Sequence, residues 1–306
     1  MAMPLNGQAP CAIIRPPRPW RIARKTQRPM SSFQAQSTTA NAIAPQSEAA
    51  VPGPDFSDIA VVVPAYNEEA TVGDVVRDCA TALPGAAIIV VSDGSADATA
   101  DRARAAGAEV LDLPCNLGVG GAVQAGLKRA LERGFDRVAR MDADGQHLAG
   151  EIPAMLRLMD QSGADFTSGS RFLPTSEFPV GSTAARRAGN KILARFLSLI
   201  CRTTITDPTT GLWCLHGGLL RYFAHSYPSE YPEPEAMALL RRQGYVMVEA
   251  PVRVMPRQAG RSHVRPVGML YFAFRVGLAL MADRVRPVER RFAARSRPAA
   301  PATAGR

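Results

Sequence analysis

Apolar residues fall along this chain in short blocks whose spacing switches repeatedly between strand and helix. Ile59-Ala-Val-Val-Val is an unbroken, largely β-branched run closed by Pro64, the pattern of a strand buried on both faces. Past the loop at 65–69, Thr71 stands at the N-cap position of a helix reaching about Leu83. Val72, Val75, Val76 and Cys79 recur along it at helical spacing, and Pro84-Gly85 breaks it. Strands at 87–91 and 109–113 flank a helix over 98–106 that Gly107 stops. Asn116 to Gly121 reads as a glycine-rich turn into a helix through about Arg133, and 135–141 as the central strand. The second half is less regular: a strand at 165–169, a helix at 183–201, a turn at 207–211, a helix at 231–243 and a late strand at 245–254. Strands and helices alternating at this spacing predict an α/β fold with a doubly wound, mostly parallel sheet.

With 306 residues and 46% hydrophobic content, the chain can bury a substantial core in one large or two modest domains. The formal charge of +9 is concentrated partly at the ends. Arg15, Arg18, Arg21, Arg24, Lys25 and Arg28 precede the first acidic residue, and the chain beyond Arg284 is rich in Arg, Pro and Ala. Such ends favour anionic surfaces, nucleic acid or acidic lipid, and composition does not choose between them. The five cysteines form no C-x-x-C pair, which argues against a disulfide framework or zinc site and for a reducing compartment. No stretch reaches the roughly 20 apolar residues of a spanning helix. Val267 to Ala282 is shorter and interrupted by Arg275, which suits an interfacial helix. The expected organisation is a disordered basic extension over 1–56, a catalytic-sized α/β domain over 57–265, an apolar interfacial helix over 266–285 and a disordered basic tail over 286–306.

Polar loops follow three of the expected strands: Tyr66 to Glu68, Asp93 to Ser95, and Asp142 to Gln146. In a parallel sheet these converge on one edge, where ligands of open α/β sheets bind. Asp142-Ala-Asp144 offers two hard oxygen donors and Gln146 a neutral one, a set suited to Mg²⁺ or Mn²⁺ sharing its shell with substrate phosphates. Taken alone, the same pair also fits a solvated turn.

Six segments then occur in order: Val-Pro-Ala-Tyr-Asn-Glu-Glu (63–69), Ser-Asp-Gly-Ser-Ala-Asp-Ala-Thr (92–99), Asn-Leu-Gly-Val-Gly-Gly-Ala (116–122), Asp-Ala-Asp-Gly-Gln-His (142–147), Gly-Ser-Arg-Phe (169–172) and Asp-Pro-Thr-Thr-Gly (207–211). Together they resemble family 2 glycosyltransferases of the GT-A fold, and among them the dolichyl- or polyprenyl-phosphate mannosyl- and glucosyltransferases. The resemblance covers about 58–265. Ser92 departs from it, standing where many members carry a first aspartate, and a long C-terminal membrane domain is not expected, as in the minimal members of the group.

The resemblance implies an inverting transfer of a hexose from GDP-mannose or UDP-glucose to a polyprenyl phosphate at the cytoplasmic membrane face. It assigns the metal to Asp142, Asp144 and Gln146, and donor binding to Pro64, Tyr66, Glu68, Asp93, Asp142, Arg257 and Arg261. Arg171 would face the acceptor phosphate, a bidentate task suited to a guanidinium. Asp142, Asp144 and Arg171 are therefore the expected catalytic residues. An anionic acceptor needs no general base. A saccharide or other hydroxyl acceptor would need one, and Glu233 and Glu235 are the candidates, although both equally suit the acidic first turn of a helix. Asp93 could instead form an Asx-turn before the following helix, and the glycines at 118–121 suit close strand–helix packing. Arg186, Arg187, Lys191 and Arg195, set among apolar residues, fit either a helix in an anionic membrane surface or an ordinary core helix. A non-catalytic nucleotide-binding protein is the remaining alternative. No zinc module or aromatic-interleaved basic patch points to nucleic acid.

Overall fold

A computed structural model of the chain describes residues 55–174, 176 and 184–255. The basic extension up to residue 54, Arg257, Arg261, the apolar segment 266–285 and the basic tail lie outside the described residues. Within them, β1 (Ile59–Ala65), β2 (Ala87–Ser92), β3 (Glu109–Asp112), β4 (Arg137–Arg140), β5 (Phe166–Ser170), β6 (Trp213–His216) and β7 (Met247–Pro251) form one sheet in the order β3-β2-β1-β4-β6-β5-β7. The helices are α1 (Val72–Ala82), α2 (Thr99–Ala105), α3 (Gly118–Glu132), α4 (Ile152–Ser162), α5 (Ala184–Cys201), α6 (Gly218–His225) and α7 (Pro232–Arg242).

The two-residue period of β1 divides the core. Ile59, Val61 and Val63 pack with α1, α4 and Ala103 of α2, whereas Ala60 and Val62 pack with α3, α5, α6 and α7. Both sheet faces are thus covered, which is why β1 reads as continuous rather than alternating. Gly126 lets α3 lie directly on β1: a Cβ there would sit 3.2 Å from Val62 Cγ2 and nearer still to its Cγ1. Gly120 does the same against Ser229, so the expected turn at 116–121 is largely the first turn of α3 and its glycines serve packing.

Three elements escaped the pattern reading. α4 carries Ile152, Met155, Leu156 and Met159 at helical spacing, behind Pro153 in its first turn. β6 spans only Trp213 to His216, too few positions to display a period, and α6 follows at once. β6 also runs antiparallel to both β4 and β5 in an otherwise parallel sheet. That reversal matters for the site, because pairing Arg140 with Trp213 carries the 207–211 turn to the carboxyl end of β4.

Among the described residues no helix is long and apolar enough to cross a membrane. Cys79, Cys201 and Cys214 are free and buried.

Candidate functional site

β1 is flanked by β2 and β4, and the chain leaves it in opposite directions along the sheet, the arrangement that opens a crevice at strand carboxyl ends. The loop after β1 is braced to the loop after β2. Asn67, Glu68 and Glu69 donate their backbone N–H groups to Ser95 Oγ, Thr99 Oγ1 and Asp97 Oδ2, and Ala96 and Ala98 donate back to the side chains of Asn67 and Glu69. Tyr66 projects from this loop with 48% of its surface exposed. The Thr71 hydroxyl donates to Glu68 Oε2 at 3.1 Å and does not cap its own helix as the sequence suggested.

Two expected ligand residues sit at the strand ends beneath this loop. Pro64 is the buried penultimate residue of β1, paired with Val91, immediately before the loop. Its missing N–H falls where pairing with β4 has already ended. Asp93 is buried and accepts the Leu117 N–H at 2.7 Å, tying β2 to the start of α3. The Asx-turn before α2 belongs to Asp97, which accepts from Thr99 N at 3.0 Å. Burial holds the Asp93 carboxyl above the usual carboxylate range, against the two N–H donors of Leu117 and Gly118.

Beyond β4, Asp144 is buried and accepts from Gln146 N at 3.1 Å, while Asp142 remains partly open. Gln146 and His147 are pinned to the far end of the domain by Met255 N–H donating to Gln146 O at 2.8 Å and a bridge between His147 and Val254. His147 is buried with Nε2 3.7 Å from Asp142 Oδ2, and desolvation holds its imidazole below the ordinary range, against the nearby Asp142.

Arg171 is fixed by Asp207, which is fully buried. Nε donates to Oδ2 at 2.6 Å and Nη2 to Oδ1 at 2.7 Å, and the Arg171 N–H reaches the same carboxylate at 3.1 Å. Glu249 on β7 holds this turn from below, accepting from Thr206 N, Asp207 N and the Thr206 hydroxyl. Desolvation lowers the Arg171 guanidinium, but Asp207 first and then Asp142 and Glu233 hold it above its ordinary range, so it lies within electrostatic reach of the Asp-x-Asp.

The residue sequence reasoning missed is Arg140. Its side chain is among the largest fully buried, at 1% exposure. It donates from Nη2 to Asp142 Oδ1 at 2.7 Å and from Nη1 to Glu233 Oε1 at 3.1 Å. The available signal was a charge inside an apolar run. Glu233, one of the two candidate carboxylates, is thereby drawn into the cluster. Burial and the neighbouring Asp142 push its carboxyl up, and Arg140 opposes them.

Among the described residues no three or more His, Cys, Asp or Glu side chains form a group able to hold a metal ion. Asp142, Asp144 and Gln146 supply only part of a shell, and all of it is oxygen. That donor set fits a hard divalent ion completing its coordination with water and substrate phosphates. A cavity of about 530 Å³, lined by Ser57, Asp58 and 133–137, opens at the opposite, amino end of β1 and β4 and contains none of these residues.

Comparison with known proteins bears on this geometry. The family model described as Glycosyl transferase family 2 matches residues 60–215. A dolichyl-phosphate hexose transferase of Haloferax volcanii is 32% identical over 216 residues, covering 69% of this chain and 88% of its own. An undecaprenyl-phosphate mannosyltransferase of Micrococcus luteus is 28% identical over 212 residues, covering 67% of this chain and 86% of its own. The glucosyl-3-phosphoglycerate synthase of Mycobacterium tuberculosis, solved with Mn²⁺, UDP and glucosyl-3-phosphoglycerate, shares the fold at a TM-score of 0.54 and 24% identity, over 74% of this chain and 79% of that one.

Proposed function

The chain belongs to glycosyl transferase family 2 and is a glycosyltransferase; from that premise we propose that it transfers a hexose from GDP-mannose or UDP-glucose to a polyprenyl phosphate. The observation that carries the acceptor class is Arg171. Its guanidinium is clamped by a fully buried carboxylate, so a fixed cation stands within electrostatic reach of Asp142. The prenyl-phosphate acceptors in the names of two relatives, each covered over most of its length, support the same class.

In this reading Asp142 and Asp144, with Gln146, hold Mg²⁺ or Mn²⁺, which would act as a Lewis acid on the departing diphosphate. Tyr66 stacks on the base, Glu68 accepts from the ribose and Asp93 orders the loop beneath them. Arg171 positions the acceptor phosphate, whose oxygen is already anionic and attacks C1 in line. The C1–O bond to the diphosphate breaks as the new one forms, inverting C1, and the nucleoside diphosphate leaves. Positioning and charge neutralisation suffice, with no general base.

A lipid acceptor places the domain at the inner face of the plasma membrane, bound peripherally. α5 supports this. Leu193, Ala194 and Leu197 face inward, while Ile192 and Leu199 are 63% and 78% exposed beside exposed Arg187, Lys191, Arg195 and Arg202. An apolar strip within a basic face suits an anionic headgroup layer. Asn190 on the same helix bonds to Thr206 O and accepts from the Thr209 hydroxyl, linking that face to the turn that holds Arg171.

The test supplies radiolabelled GDP-mannose and UDP-glucose in parallel to purified protein with Mn²⁺ or Mg²⁺ and a polyprenyl phosphate. Label should enter the organic phase with one donor, disappear with chelator, and be lost in Asp144→Ala and Arg171→Ala. No organic-phase label from either donor, despite metal-dependent nucleotide binding, would overturn the lipid acceptor. The position of Glu233 in the cluster favours the second reading in that event. There it serves as base for a hydroxyl acceptor, and Glu233→Gln abolishes transfer while Arg171→Ala does not.

A further inference from the structure

The hydrogens of the Arg171 guanidinium are unequally committed. A guanidinium donates once from Nε and twice from each terminal nitrogen. Asp207 takes Nε at 2.6 Å and one Nη2 hydrogen at 2.7 Å, and the Thr209 hydroxyl accepts the other from Nη2 at 2.8 Å. The paired edges with which an arginine ordinarily grips a phosphate are therefore closed by the protein itself. Nη1 makes no hydrogen bond among the described residues, and the side chain is still partly exposed. Thr209 stands on the exposed side of its turn, and its hydroxyl is set by Asn190, a buried amide of α5. The hydroxyl proton reaches Asn190 Oδ1 at 3.2 Å, with Asp207 Oδ1 as the other acceptor at 3.3 Å. Asn190 Nδ2 donates to Thr206 O at 3.2 Å, so one amide spans the turn from end to end.

We infer that Thr209, set by Asn190, is a positioning residue for the acceptor: it takes the outer Nη2 hydrogen of Arg171 and leaves Nη1 as the nitrogen that meets the acceptor phosphate. The inference rests on the proposed role of Arg171 towards that phosphate. A carboxylate alone does not fix a guanidinium in one pose, because it can take Nε with Nη2 or Nη1 with Nη2. The second fork needs the outer Nη2 hydrogen, and Thr209 already holds it, so Asp207 is confined to the first. The same occupancy denies that fork to the acceptor. A contact through Nη1 alone can neutralise one phosphate oxygen while another attacks C1. Thr209 and Asn190 thereby decide which part of the cation the acceptor meets, and neither touches the substrate.

The experiment measures transfer to polyprenyl phosphate by wild type, Thr209→Val, Thr209→Ser and Asn190→Ala, varying acceptor and donor separately, with thermal unfolding read beside it. Thr209→Val keeps the shape and removes the hydroxyl. It is expected to raise KM for the acceptor about tenfold, the scale of one hydrogen bond to a charged group, while KM for the donor stays within about twofold. Thr209→Ser restores the hydroxyl and with it the acceptor KM. Asn190→Ala moves the acceptor KM in the same direction by less, because Asp207 Oδ1 still receives the Thr209 proton. A merely structural role would lower stability and shift both KM values together. An acceptor KM within about twofold of wild type in Thr209→Val, or one matched by an equal rise for the donor, overturns the inference. Failure of Thr209→Ser to restore the acceptor KM overturns it as well. Should Asn190→Ala fail to fold, the Thr209 variants decide alone. If wild type transfers no label to polyprenyl phosphate, or Arg171→Ala leaves the acceptor KM unchanged, the acceptor role of Arg171 fails first and takes this inference with it. That result is distinguishable from an effect missing only in Thr209→Val.

Discussion

Replacing Gly211 by Ala adds one methyl group 69 positions from Asp142 in the chain, and the structure makes it a sensitive probe of the site. The added Cβ would stand 2.6 Å from Asp142 Cγ, with the carboxylate oxygen Oδ2 nearer still, and 2.7 Å from Arg140 Nη1. Carbon atoms pack at about 3.5–4.0 Å, so Asp142 must retreat by about 1 Å. It cannot do so without disturbing its 2.7 Å bond to Arg140 or approaching His147 Nε2, already 3.7 Å away. Gly211 is not among the residues with positive φ, so alanine carries no backbone penalty there. Overpacking costs about 1–3 kcal/mol, partly offset by about 0.4–1 kcal/mol from a less flexible unfolded chain. Catalysis should suffer more. A 1 Å misplacement can lower a rate by about 100-fold, equivalent to about 2.7 kcal/mol in the barrier. The assay is the initial rate of label transfer to the organic phase, read beside thermal unfolding, with Gly150→Ala as control because nothing lies within 4 Å of its would-be Cβ. A Gly211→Ala enzyme within about twofold of wild type would refute the reasoning, since a displaced carboxylate is expected to cost orders of magnitude.

Asp207→Asn keeps the shape of the buried carboxylate but removes the charge that holds Arg171. Breaking a buried pair from one side costs about 3 kcal/mol, the low end of the range because Arg171 retains some contact with water. Urea unfolding should show that loss, together with a raised KM for the polyprenyl phosphate. Asp93 sets a pH dependence. Its pKa is raised in the folded state, so the folded protein holds the proton more strongly, and this contribution is complete below the ordinary carboxylate value and lost as pH climbs through the raised one. Asp93→Asn should therefore flatten the decline in stability across that interval, and an unchanged pH profile of unfolding would contradict the assignment. On α5, Ile192→Glu with Leu199→Glu should abolish cosedimentation with anionic phospholipid vesicles while sparing transfer to a short, water-soluble prenyl phosphate.

The legible parts of the molecule are those set by local pattern. β1 was visible because a strand covered on both faces must be apolar at every position, and Val72, Val75, Val76 and Cys79 were visible as one face of α1. The site edge was legible too, since parallel strands β1, β2 and β4 necessarily place Tyr66, Asp93 and Asp142 at the same end. α4 had a readable period that Pro153 obscured, whereas the four residues of β6 carried too little pattern to read.

The sequence alone thus determined which segments are strands and helices across most of the domain, and which polar loops gather at one end of the sheet, because both depend on residue type and spacing over a few positions. Tertiary structure alone decided that β6 runs backwards beside β4, that Gly211 closes on Asp142, that Asp207 clamps Arg171 and that Arg140 joins Asp142 to Glu233. Charge pairing and steric exclusion act through space over a few ångströms, and no spacing along the chain encodes which distant side chain will occupy that space.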